Sequence, residues 1–126
     1  MRPTLDNDRP LFQQIKEAVE EDILSGALQP DEQIPSNSQL VNFYQINPVT
    51  VHKGISQLVD EGTVYKKRGL GMFVSPDAPA RLRQQRQGGY QQEYVQPAIR
   101  QAKVLGIKRQ ELHGMIDENW GSNDEN

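Results

Sequence analysis

Two helix-start signals stand eleven residues apart, at Ser36 and Asn47, and a glycine-punctuated pair of β-type runs follows them. Ser36 precedes Gln39 at the spacing of a capping box: the hydroxyl accepts the Gln39 N–H, and the Gln39 amide reaches back to the Ser36 N–H. Asn47 is a good N-cap. Pro48 suits the first helical position, because the N–H it lacks would be unpaired there in any case. Between the two signals there is room for about two and a half helical turns, with Leu40, Val41, Phe43 and Tyr44 as the apolar face. The second helix has Val51, Ile55, Leu58 and Val59 as a buried stripe and ends at Gly62. Its other face carries Val49, Thr50, His52, Lys53, Ser56 and Gln57. Two short helices joined by a tight turn, the second opposing small polar and basic residues to its stripe, are the layout of a helix-turn-helix.

The flanking residues extend this reading. Thr63-Val64-Tyr65-Lys66-Lys67 has the β-branched and aromatic content of a strand. Arg68-Gly69-Leu70-Gly71 is a turn, and Met72-Phe73-Val74-Ser75 returns. A hairpin directly after a recognition helix is a wing, whose basic tip can approach a sugar-phosphate backbone. Upstream, Leu11, Ile15, Val19 and Ile23 recur at i, i+4, i+8 and i+12 with polar and acidic residues between them. This is an amphipathic helix stopped by Gly26. Gln29-Pro30-Asp31-Glu32 reads as a turn. The expected fold is mainly α (α+β), a winged helix-turn-helix over residues 1–75 followed by a short all-helical segment over 76–126.

Pro76-Asp77-Ala78-Pro79 marks the boundary between them. Beyond it, residues 81–92 are rich in Gln and Arg, with Gly88-Gly89 in the middle. Tyr90, Tyr94, Ala98, Ala102 and Leu105 recur at helical spacing, and Pro97 interrupts them. Either a kinked long helix or a helix beginning near Gln96 satisfies that pattern. Gly106 breaks it. Ile107, Leu112, Met115, Ile116 and Trp120 point to a last helix, and residues 121–126 are expected to be disordered. Only 16 of the last 51 residues are apolar, too few for an independent core. Such helices need a surface to cover, either the first domain or a second copy of themselves. A homodimer is the better reading, because helix-turn-helix proteins bind paired half-sites.

Charge and composition exclude several classes. The chain has no Cys and two His, which removes disulfides, thiolate zinc sites and cysteine nucleophiles and disfavours a multi-histidine metal site. No metal or cofactor is expected. No apolar run approaches a membrane span and no apolar leader is visible, so a soluble cytoplasmic protein without a membrane partner is expected. The net charge of −3 runs against nucleic acid at first sight. Its distribution leaves the question open: residues 1–32 carry −5, residues 33–75 carry a modest +2, and the remainder is balanced. Three of the four bases in the middle stretch, Lys66, Lys67 and Arg68, are consecutive.

Pro10-Leu11-Phe12-Gln13-Gln14-Ile15, Ile23-Leu24-Ser25-Gly26-Ala27-Leu28-Gln29-Pro30 and Ile34-Pro35-Ser36 resemble the GntR family of bacterial transcription regulators. So do Asn47-Pro48-Val49-Thr50-Val51, Leu58-Val59-Asp60-Glu61-Gly62 and Arg68-Gly69-Leu70-Gly71-Met72-Phe73-Val74. The resemblance covers residues 10–75 in consistent order. The short helical tail looks like the YtrA-like subfamily, whose C-terminal part mainly dimerises. The resemblance implies a repressor binding a two-fold symmetric operator in double-stranded DNA. Three positions depart from the family pattern: Ser38, Pro48 and His52 stand where relatives usually or often carry Arg or another basic residue. Base readout is then left to Thr50, His52, Lys53 and Asn37 or Gln39, with more weight on phosphate contacts and DNA shape.

The expected DNA-binding residues are Ser36, Asn37, Ser38, Gln39, Asn47, Val49, Thr50, His52 and Lys53, with Lys67, Arg68, Gly69, Leu70 and Gly71 from the wing. Ser36 and Asn47 also serve as caps, and Lys53 is as readily a solvated residue. A small-molecule effector site is expected at the junction of wing, linker and tail, involving Arg81, Tyr90 and Tyr94 with Gly88-Gly89 as hinge. The tyrosines suit a core or dimer interface better than an effector pocket. Catalysis finds no support, since the acids of the first helix lie opposite its apolar stripe and no nucleophile motif is present. The remaining rival is a winged helix that binds another protein, to which the acidic residues 1–32 are suited.

Overall fold

The computed structural model describes residues 1–122. It divides into two compact units, Met1–Gln85 and Arg86–Asn126.

The first unit holds α1 (Leu11–Ser25), α2 (Asn37–Tyr44), α3 (Pro48–Asp60) and a hairpin of β1 (Val64–Lys67) and β2 (Gly71–Val74). Both start signals operate as their chemistry requires. The Ser36 hydroxyl accepts from the Gln39 N–H at 3.1 Å, and the Gln39 side chain accepts from the Ser36 N–H at 2.8 Å. The Asn47 side chain accepts from the Val49 N–H at 2.8 Å, with Pro48 opening α3. A cap of this kind stabilises a helix by about 1 kcal/mol. The turn between α2 and α3 passes through Gln45 in the left-handed region, with φ 55°.

One core joins all of these elements. Ile15, Val19 and Ile23 of α1 meet Leu40 of α2 and Val51, Ile55 and Leu58 of α3, closed by Val64 and Val74 of the hairpin. The crossing of α1 and α3 depends on Gly54, a buried position outside the apolar pattern. A Cβ there would stand 2.6 Å from the Phe12 carbonyl oxygen. Phe43 departs from expectation. It projects from α2 and is 56% exposed, because Leu40 alone of that helix reaches full burial.

The hairpin pairs Val64 with Val74, Tyr65 with Phe73, Lys66 with Met72 and Lys67 with Gly71. A third segment extends it. Asp31 N–H donates to the Val74 carbonyl at 2.7 Å, Val74 N–H to Glu32 at 2.9 Å and Ile34 N–H to Met72 at 2.9 Å. The stretch read as a turn therefore leads directly into an edge of the sheet, where Gln33 faces Phe73.

Residues 1–10 fold back over α1. Gln14 is wholly buried: its Oε1 accepts from Asp6 N–H, and its Nε2 donates to the Asp6 and Arg9 carbonyls, all at 2.9 Å. Arg2 pairs with Glu21, and Arg9 pairs with Glu17 at 2.9 Å. Tyr44 donates its phenol to the Arg2 carbonyl, and burial raises its pKa. The acidic face of α1 is thus partly neutralised by the arm. Glu20, expected on a solvated face, is buried.

A fourth helix, α4 (Ala78–Tyr90), starts inside the stretch read as a boundary, and its Ala78 and Leu82 complete the core of the first unit. It leads into a π-helical turn, Gln91–Val95, and then α5 (Gln96–Val104). Pro97 explains that turn. Proline has no N–H and crowds the carbonyl four residues back, and one widened turn absorbs both problems without ending the helix. The helical run is continuous through this turn, and α5 itself begins at Gln96. Gly106, at φ 73°, closes α5, and Ile107 N–H returns to the Ala102 carbonyl at 2.8 Å. The last helix, α6 (Arg109–Ser122), opens with Glu111 accepting from the Lys108 N–H at 2.8 Å. It continues through Gly121 and Ser122, where disorder was expected, because a propagating helix gains one hydrogen bond per added residue. Residues 123–126, the rest of that expected tail, lie outside the described residues.

Candidate nucleic-acid interface

On α3, positions 49, 52, 53 and 56 fall at i, i+3, i+4 and i+7 and share one face, opposite Val51, Ile55 and Leu58. Val49 is 73% exposed at the N-terminal end of that face. His52 is exposed, with its Nε2 3.3 Å from the Ser56 hydroxyl. Lys53 is exposed too, yet its ammonium sits 4.0 Å from the centre of the Phe12 ring. It leans along α1 and stands between contact and packing roles. Thr50 lies on the flank and is half-buried.

The caps are committed to their own helices. The Ser36, Gln39 and Asn47 side chains each spend an oxygen on a backbone N–H. Ser38 is exposed beside them and Asn37 is half-buried. Ser36 still has a hydroxyl proton to donate, and Asn47 still has its amide N–H groups.

The wing is braced from outside the hairpin. Gln33 donates Nε2 to the Leu70 carbonyl at 2.7 Å, across 37 residues. Gly71, at φ 124°, passes so close that a Cβ would stand 2.5 Å from that same Nε2. The backbone angle requires glycine, and a side chain there would push the Gln33 amide off its bond to Leu70. Tyr65 stacks with Phe73, ring centres 5.9 Å apart, and donates its phenol to Asp31 at 2.7 Å, a bond that raises the Tyr65 pKa. The Lys67 ammonium lies 4.5 Å from the Phe73 ring centre. Lys66, Arg68, Gly69 and Leu70 are exposed at the tip. A rigid, basic loop with an open backbone results, stiffened by residues that sequence patterns near the hairpin do not reveal.

Arg81 is engaged locally in the first unit. Its guanidinium donates to the Glu61 carbonyl at 2.8 Å and the Gly62 carbonyl at 2.9 Å, closing the C-terminal end of α3. A cation there also complements the helix dipole. Tyr90 and Tyr94 belong to the second unit, with ring centres 5.1 Å apart. They line a groove of about 690 Å³ that also touches Val95, Ile99, Leu112 and Ile116, with Lys103, Arg109 and His113 on its walls. Gly88 and Gly89 are helical, with open space where their side chains would stand. Among the described residues no group of three or more His, Cys, Asp or Glu could hold a metal ion. No helix of the described residues is long and apolar enough to cross a membrane.

Residues 11–74 match the model of the family described as bacterial regulatory proteins, gntR family. The chain is 37% identical over 70 residues to the arabinose metabolism transcriptional repressor of Geobacillus stearothermophilus, covering 56% of this chain and 19% of that one. It spans about a fifth to a quarter of the length of the curated repressors it matches through this segment. Similarity extends further in the HTH-type transcriptional repressor YtrA of Bacillus subtilis (strain 168). That match is 29% identical over 109 residues, 86% of this chain and 83% of YtrA. Among solved structures, AraR(DBD) in complex with operator ORE1 superposes with a TM-score of 0.52 at 30% identity, covering 60% of this chain and 94% of that one.

Proposed function

The chain belongs to the gntR family of bacterial regulatory proteins, and from that premise we propose that it is a sequence-specific DNA-binding repressor acting as a homodimer on a two-fold symmetric operator. The observation that carries this reading is the pairing, within one compact unit, of an exposed α3 face with a braced basic wing. A relative solved on its operator supports the same use of the fold. A cytoplasmic location follows from this reading.

In this account α3 lies in the major groove, its N-terminal end against the base edges. Val49, Thr50, His52 and Lys53 face the bases or the groove wall. Ser36, Asn37, Ser38, Gln39 and Asn47 line the adjoining phosphates. Lys67, Arg68, Gly69, Leu70 and Gly71 bring the wing to the sugar-phosphate backbone. With no arginine on the α3 face, phosphate contacts supply most of the affinity and groove shape a larger share of the specificity.

The second unit, from residue 86 onward, serves as the dimerisation segment, since Ala78 and Leu82 belong to the core of the first. Supporting this, Tyr90, Tyr94, Ile99, Leu105, Met115 and Trp120 are each at least 40% exposed, an apolar surface that water alone covers poorly. Tyr90 and Tyr94, which line the groove of the second unit, remain the residues proposed to respond to a small-molecule effector, whereas Arg81 is committed to the end of α3 in the first unit. Such a ligand acts only by binding the DNA-competent and incompetent dimers unequally.

Affinity for a duplex measured across salt concentrations tests the DNA reading. Each phosphate neutralised adds about −0.9 to the slope of log K against log salt. A steep slope that becomes shallower in Lys67→Gln and Arg68→Gln variants agrees with the proposal. A flat salt dependence contradicts it.

A further inference from the structure

The proposed DNA-reading face of α3 carries an apolar side chain that stands open to solvent. Val49 is 73% exposed, whereas Thr50 on the flank is half-buried. The polar neighbours have partners within the protein: His52 meets Ser56 at 3.3 Å and Lys53 lies over Phe12 at 4.0 Å. The Val49 N–H is committed as well, since it donates to the Asn47 side chain at 2.8 Å. Val49 therefore offers its surroundings an isopropyl group and no hydrogen bond from its N–H. The exposed Pro48 ring precedes it.

Position and stiffness give that group a use. Val49 is the second residue of α3, at the end of a recognition helix that meets base edges. A β-branched side chain in a helix has one strongly preferred rotamer, so little freedom is lost on contact. In the major groove the one apolar feature of a base pair is the thymine 5-methyl group. Resting on the reading that α3 enters the groove, we propose that Val49 is a specificity-determining residue that selects thymine at one position of each half-site by packing on its methyl group.

Uracil isolates this contact, because it keeps every hydrogen-bonding group of thymine and lacks only the methyl. The full chain is first used to select an operator from random duplexes. Each thymine of a half-site is then replaced by deoxyuridine, in both half-sites together, and dissociation constants are measured for the wild type, Val49→Ala and Lys67→Gln. One position is expected to weaken wild-type binding about fourfold per half-site, about fifteenfold for the symmetric pair, the worth of one buried methyl-sized group. Val49→Ala should lose most of that sensitivity. Lys67→Gln should bind more weakly overall and keep it.

A specific operator whose binding ignores every uracil, or a Val49→Ala protein that keeps the full uracil penalty, overturns this proposal and leaves the repressor reading standing. Failure to select or bind any duplex overturns both.

Discussion

The Lys53 ammonium stands 4.0 Å from the centre of the Phe12 ring, tying the outward face of α3 to the first turn of α1. This contact holds a base of the proposed interface in a defined direction while leaving its N–H groups free to donate. Lys53→Met should retain the packing, because a thioether also packs favourably on an aromatic ring. Its folding stability in urea is expected to stay within about 0.5 kcal/mol of wild type. The salt slope of DNA binding should fall by about 0.9 for each Lys53 lost. Phe12→Leu is the reciprocal case, expected to weaken binding through a looser Lys53 while leaving the slope near its original value.

Gly54 lets α1 and α3 approach until a Cβ would lie 2.6 Å from the Phe12 carbonyl. The obstacle is backbone, which cannot turn aside as a flexible side chain can. Gly54→Ala is therefore expected to destabilise the first unit by about 1–3 kcal/mol in urea denaturation, the usual cost of overpacking. It should also misplace α3 relative to the wing, so DNA affinity falls with stability.

Gly88 and Gly89 are the opposite case. Both are helical, and no atom stands where their side chains would be. Alanine at either position should stabilise the helix by about 0.5–1 kcal/mol. Circular dichroism and thermal melting check this directly. If the pair serves as a hinge, the double variant should also show a narrower tolerance for half-site spacing in its operator.

Arg81 closes the C-terminal end of α3 through the Glu61 and Gly62 carbonyls. The side chain is about one-third exposed, which reduces what its bonds contribute. Arg81→Gln is expected to lower stability by about 1 kcal/mol in urea denaturation. A full loss of folding would contradict that capping role.

Much of this was legible in the sequence because it is local. Ser36 with Gln39, and Asn47 with Pro48, act over two to three residues, and the amphipathic periods of α1 and α3 are one-dimensional signals. What stayed hidden acts across the chain. Gln33 braces Leu70 over 37 residues, and Gln14 looks like any exposed polar residue until residues 1–10 fold over it. Gly54 reads as a weak helix residue until α1 is set beside it. Ala78 and Leu82 fall beyond the boundary in the sequence because Pro76 and Pro79 look like punctuation. A proline in the first turn of a helix is well tolerated, however, and α4 uses Pro79 there. The direction of Phe43 could not be read from composition, since a helix as short as α2 turns only part of its surface inward.

The most direct measurement is selection of random duplex DNA by the 126-residue chain, sequenced after rounds at two salt concentrations. The account predicts enrichment of a two-fold symmetric motif with fixed half-site spacing, and weaker retention of that motif at the higher salt. Absence of any enriched motif, with no duplex bound even at low salt, would contradict it.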